Sequence, residues 1–380
     1  MKKFFQNKSF GFRIAVLLIL IYVLIALVAP FIANNKPLVC STDKGFIFPM
    51  FENKTDIPKG NCIYALIPYG PNETNLSSGV SLSPLDSQKD LSPRYRHWLG
   101  TDKLGRDVAA GIIHGTKVAI QIGFISVLFS FIFGVSLGLI SGYYKDENIK
   151  FNIFQVVLSS VFFVLWMFYM VFEWQFGHLN LITIVMWFCI FLLCQYAIIV
   201  FASKIPTKIK YHFPLDTLVV KSIELRKSFP GIFILLALTT LFATPSVWNI
   251  ILIITLLGWT EFARYARAET LAVKQENYIN TAKILGFSHI RILLRHILPN
   301  IMPTLIVVAC FSVSGAILLE STLSFLGIGL PVEQVSWGKM MAEGRSLLHW
   351  WMVVFPGIAL FIIILCLITI ADSLQDKRIG

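Results

Sequence analysis

The sequence predicts an all-α integral membrane protein with eight spans and both termini on the cytoplasmic side. Three observations predict it. Hydrophobic residues make up 56% of the 380 residues and charged ones only 14%, where a soluble domain carries about a quarter charged. Mean hydropathy is +0.73. Eight apolar runs approach the roughly 20 residues a helix needs to cross a bilayer core, and the basic residues between them alternate by side. A disordered chain, a secreted disulfide scaffold and an ordinary cytosolic enzyme are excluded on composition.

The first run, Ile14–Ala33, follows Lys2, Lys3, Lys8 and Arg13. It is too long for a signal-peptide core and no small-x-small cleavage site follows, so it reads as a retained anchor closing a first segment, 1–33. Residues 34–117 form an outer loop whose stretch 68–93, rich in Pro, Ser, Gly and Asn, reads as irregular chain. Cys40 and Cys62 lie in it and either pair in an oxidising compartment or stay reduced. Val118–Tyr143 is the second span, within 118–149. Phe151–Phe172 and Leu181–Ala202 follow within 150–212. The fifth run, Phe229–Ala243, is short and contains Pro230, which a first turn tolerates; amphipathic Leu215–Lys227 extends it as a polar helix. Asn249–Ala268, Ile301–Leu323 and Trp351–Ala371 complete the set within 213–380. Cys189, Cys194, Cys310 and Cys366 fall in spans, where small apolar packing is their default role.

With the N-terminus inside, the inner segments hold 20 Lys/Arg and the short outer ones 2. The long outer loop holds 10 basic and 8 acidic residues, and loops of that length are exempt from the positive-inside rule. Dropping one span would put six basic residues of 203–228 or 264–296 outside. The net charge of +11 is therefore a topology signal, and no nucleic-acid patch is implied.

Apparent chemical motifs fail on context. Gly134-Val135-Ser136-Leu137-Gly138 matches a nucleophile elbow, which needs a strand-to-helix turn and a His partner; here it lies mid-span with no His in any span interior. Gly134, Gly138 and Gly142 recur every four residues and instead suit close helix packing. The only Gly-Lys pair, Gly338-Lys339, lacks the rest of a phosphate loop, so energy from nucleotide must come from another chain. No Cys/His spacing resembles a metal site. Glu320 is the clearest intramembrane ionisable residue, a candidate for a pathway or gating role or for a hydrogen bond to a neighbouring helix.

Residues 269–299 are the most informative. An amphipathic stretch through Leu271, Val273, Tyr278, Ala282 and Leu285 is broken by Gly286, whose backbone freedom suits a turn. A second helical piece follows, with Ile290, Ile292, Leu293 and Ile297 apolar, expected to stop at Pro299. Two short helices around a glycine suit docking into a partner's groove. The run Tyr278-Ile279-Asn280-Thr281-Ala282-Lys283-Ile284-Leu285-Gly286, then Arg295-His296-Ile297-Leu298-Pro299-Asn300, resembles the EAA loop in the second permease of dipeptide/oligopeptide ABC importers. Gly315-Ala316-Ile317-Leu318-Leu319-Glu320-Ser321-Thr322-Leu323-Ser324-Phe325-Leu326-Gly327 is similar to that family too. So are His97–Val108, Phe5–Lys8, Trp337-Gly338, Trp350-Trp351 and Pro356-Gly357.

The resemblance implies a type I importer core of six spans, which leaves 150–212 as an inserted transmembrane hairpin turning at Glu173–Asn180. It implies a permease that is not itself an enzyme, in a bacterial inner membrane. Expected partners are lipid, a second permease chain (different or identical), two ATPase subunits carrying ATP and Mg, and an extracytoplasmic binding protein. The chain itself binds no cofactor. Glu276–Gly286 would be the ATPase-docking face, with Tyr278, Thr281, Ala282 and Gly286 in contact. Asn280 stands where the family has its glutamate, which puts the tuning of coupling in question. The expected cargo is a di- or oligopeptide, with nickel or glutathione as alternatives in the same class. An ion-coupled secondary transporter would need internal repeats, and none is evident.

Overall fold

A computed structural model of the chain describes residues 10–42, 45–49, 61–75, 79–88, 92–146, 150–175, 181–203, 210–212, 214–240, 242, 244–331 and 333–375. The motif Phe5–Lys8 and most of the expected hairpin turn, including Gly177, lie outside the described residues. Helix α1 is Phe10–Ile32. Helix α2, Val108–Tyr144, starts ten residues earlier than its apolar run, because Asp107 caps it by accepting from the Ala110 N–H (2.7 Å). At 37 residues it is ~55 Å long, well beyond the ~30 Å hydrocarbon core. Helices α3, Ile153–Gln175, and α4, Leu181–Ser203, are apolar and of 23 residues each.

The fifth expected span is not a single helix. Helix α5, Leu215–Ser228, ends before Phe229, and α6, Gly231–Thr239, restarts after Pro230. Proline has no N–H to continue the α5 ladder. Nine residues rise only ~14 Å, far short of a bilayer core. Helix α7 is Val247–Val273 and α8 is Asn277–Ile284. Helix α9 runs His289–Phe325. The expected outer loop after it contains helix α10, Trp337–Leu347, and α11 is Trp350–Gln375. Among the described residues, five helices (α1, α2, α7, α9 and α11) are long and apolar enough to cross a membrane.

The core is the crossing of α2 and α7, with α9 and α11 laid against it. Methyl groups placed on Gly134, Gly138 and Gly142 would lie 2.3, 2.4 and 2.9 Å from the carbonyl oxygens of Trp259, Ala263 and Arg267. The stripe thus brings two backbones together with no side chain between them. Ile122, Ile250, Phe262, Ile301, Leu305 and Ile317 fill the space around this seam.

Two short sheets lie outside it. Strands β1 (Val39–Thr42), β2 (Gly45–Ile47) and β3 (Asn61–Ile63) form an antiparallel sheet, order β2-β1-β3, in the outer loop. Cys40 and Cys62 face each other in register and are disulfide-bonded. Strands β4 (Lys150–Asn152) and β5 (Lys210–His212) pair antiparallel, Lys150 opposite His212. They pin together the two ends of the inserted segment. Between them α3 and α4 pack on each other through Phe162, Trp166 and Tyr169 against Phe191 and Trp187. Of the cysteines outside the disulfide, Cys366 is buried while Cys189 is exposed.

Candidate functional site

Helix α8 is built by its C-terminus. The Phe287 N–H donates to the Ala282 carbonyl (3.1 Å) and the Gly286 N–H to that of Lys283 (3.0 Å), the paired bonds of a Schellman cap. That cap needs a left-handed residue, and Gly286 has φ +75°. A methyl group on Gly286 would meet nothing within 4 Å. The requirement is backbone conformation, and the space beside it is open. Glu276 caps the other end with extended backbone and no side-chain cap bond.

The eight-residue helix sorts its expected contact residues. Tyr278, Asn280 and Thr281 are exposed. Ala282 is 5% exposed and, with Ile279, packs into the chain's own core. It seats the helix, so the expectation that it faces a partner is corrected. Leu285 and Ile290, apolar positions of the two amphipathic stretches, point outward. With Ile284 and Leu294 they make an exposed apolar row, from 58% to 86% open. The Tyr278 hydroxyl accepts from Asn300 Nδ2 (2.9 Å), and burial, then nearby Glu276, pushes its pKa up.

The second piece does not stop at Pro299. Residues Ile292–Ile297 form a π turn, and Pro299 sits in the first turn of the α-helix Leu298–Phe325. The Leu298 N–H reaches back five residues to Leu293, and a missing N–H is tolerated at such a restart. The loop is therefore one short helix plus the direct extension of α9.

Behind the loop, four elements are tied by side chains to which the sequence assigned no site. Asp216 on α5 accepts two bonds from Arg267 on α7 (2.5 and 2.7 Å) and one from Ser141 on α2 (2.7 Å). Arg267 holds the Asp216 carboxyl below its usual range. Asp146, just past α2, accepts from the Asp216 and Thr217 backbone and from the Thr217 hydroxyl; these bonds lower its pKa as well. Tyr143 bonds His289 Nδ1 (2.8 Å) at the start of α9, and Lys274 donates to the Tyr143 carbonyl. Residues 51 or more apart in sequence meet here, and no local pattern announces them.

Glu320 is 1% exposed. It accepts from Ser324 (2.8 Å) and Ser321 (3.3 Å) and interacts with Ser336, the residue capping α10. A methyl group on Gly338 would lie 2.0 Å from the Ser321 carbonyl. Glu320 thus sits in a serine-lined knot joining α9 to α10.

The opposite end of the molecule is equally ordered. Arg106 pairs with Asp102 and, through Nη2, with Glu343 of α10 (3.1 Å). His97 Nδ1 bonds Asp107 (2.8 Å) and stacks on Tyr69. Burial pushes the Tyr69 hydroxyl up to about 12 and Lys339 down.

Residues 197–378 match the family of binding-protein-dependent transport system inner membrane components. Over those residues the chain is similar to that permease family. Similar proteins include the dipeptide transport system permease protein of Alkalihalophilus pseudofirmus, 27% identical over 76% of this chain and 74% of that one. The dipeptide permease protein of Haemophilus influenzae is 26% identical over 98% and 91%. The glutathione transport system permease protein of Pectobacterium atrosepticum is 26% identical over 75% and 72%. The chain is a multi-pass inner-membrane protein, and the family it matches is the pathway component of its transporters. Its family match begins within α4 and takes in the whole of the α8 loop.

Proposed function

We propose that this permease is one of two pathway-forming chains of an ATP-driven importer of di- or oligopeptides delivered by an extracytoplasmic binding protein. The observation that carries it is the apolar row Ile284, Leu285, Ile290 and Leu294 beside the Gly286 turn. Such a row exposed on a loop marks a partner surface. Two ATPase subunits carrying ATP and Mg are its expected occupants. Closing of the ATPase pair would move α8, and the Asp216 and Tyr143 ties would carry that movement to α5, α2 and α9. Nucleotide binding then biases a two-state membrane element.

The eight-span topology with inside termini belongs to the same reading, with α3 and α4 as a crossing hairpin and α5 and α6 together as one broken crossing. Glutathione is a second reading, favoured by the glutathione permease among the relatives. The test is cross-linking. A Leu285→Cys permease, co-expressed with its ATPase subunits, should form a zero-length or short cross-link to an ATPase chain. Absence of a cross-link in an assembled, transporting complex would refute the docking assignment.

A further inference from the structure

At the end opposite the docking loop, the start of α2, the start of α7 and the segment after α9 line a half-open cavity of about 520 Å³. Ligand pockets for small molecules span ~300–1,000 Å³, so a short peptide fits and a large one does not. His114, Lys117 and Gln121 are spaced i, i+3, i+7 along α2, which places them on one helix face, and all three line the cavity. His114 is held in place, its Nε2–H donating to the Ala33 carbonyl (2.9 Å). Trp248 and Glu333 line other walls. The Glu333 backbone is fixed by Asn72 Nδ2 (2.7 Å).

Lys117 is exposed and lines the cavity. It stands nine residues into α2, immediately before the apolar run that begins at Val118. Glu333 supplies a carboxylate on the far wall, and Trp248, 55% exposed, offers an apolar surface. One cation, one anion and an apolar plate around ~500 Å³ suit a small zwitterion with a side chain.

We propose that this cavity is a substrate site that reads the termini of a short peptide, with Lys117 and the Gln121 amide taking the α-carboxylate and Glu333 facing the α-ammonium. This rests on the peptide-import reading and adds to it a specificity determinant in the permease itself. A charge-assisted hydrogen bond to a carboxylate is lost when the carboxylate is amidated.

The test uses the assembled complex in nanodiscs with a reporter, Gln334→Cys, at the cavity wall and a membrane-impermeant maleimide added outside. A dipeptide should slow alkylation tenfold or more, about 1.4 kcal/mol or better, and its C-terminal amide should not. Lys117→Met should abolish the protection and Lys117→Arg should retain it. Equal protection by acid and amide, protection unchanged in Lys117→Met, or no protection at all overturns the site. Uptake by the unsubstituted complex separates the two readings. Peptide uptake without this protection sinks only the site, and no peptide uptake sinks the import reading with it.

Discussion

Gly286 and Arg267 act through different physics, and substitutions can tell them apart. At Gly286 the φ of +75° costs a β-carbon-bearing residue roughly 1–2 kcal/mol, with Asn the best tolerated because it visits the left-handed region readily. Gly286→Asn should therefore leave folding intact, and Gly286→Val should lose both transport and coupled ATP hydrolysis while still inserting. Transport at wild-type level in Gly286→Val would contradict this. At Arg267 the planar fork matters. Arg267→Lys loses one of two bonds to Asp216 and should lower thermal stability by about 1–2 kcal/mol. The Asp216 carboxyl is depressed in the fold, so its contribution is fully present above its ordinary value of 3.8 and is lost as pH falls through its own lower value. Stability measured between pH 5.5 and 8 should thus be flat with respect to this tie. A midpoint in that window that vanished in Asp216→Asn would refute the assignment.

At the scale of elements, what the sequence revealed depended on how local the cause was. The Gly286 turn was legible because a broken periodicity and a glycine coincide within one helix. Ala282 was misplaced because an eight-residue helix offers two turns, too few to fix which face is buried. Pro299 was read as a stop because the π turn that lets α9 begin before it has no sequence signature of its own. The opposite error occurred at Pro230, where tolerance in a first turn was expected and the helix broke. The Asp216–Arg267 tie and the Cys40–Cys62 pairing depend on tertiary placement. The glycine stripe was readable as packing, and its partner was not. That stripe now carries a prediction. Gly138→Leu places a side chain where even a methyl meets the Ala263 carbonyl at 2.4 Å. It should destabilise by about 3 kcal/mol or more, whereas Gly315→Leu, with open space around it, should be mild. Similar melting temperatures for the two variants would mean that the α2–α7 seam is looser than drawn.

For the whole molecule the deciding question is what the inserted segment does to everything after it. Strands β4 and β5 hold residues 150 and 212 side by side, and α3 and α4 pack chiefly on each other. A segment whose ends meet returns the chain to the side it left, so an even number of crossings is added and α7 keeps its direction. The positive-inside count requires the same outcome, since 203–228 and 264–296 each carry six basic residues. Two experiments bear on it. In a cysteine-depleted permease that keeps the Cys40–Cys62 disulfide, Gly177→Cys should react with an impermeant maleimide from outside and Ser203→Cys only after the inner face is opened. The reversed pattern would refute the topology. Joining Asn152 to Lys210 through a short turn should then leave an inserted, assembled and transporting complex, because the closed ends need no rearrangement to meet. If excision abolished assembly with the second permease chain, the hairpin would be an interface, and its surface aromatic residues, not its topology, would be the reason the chain carries it.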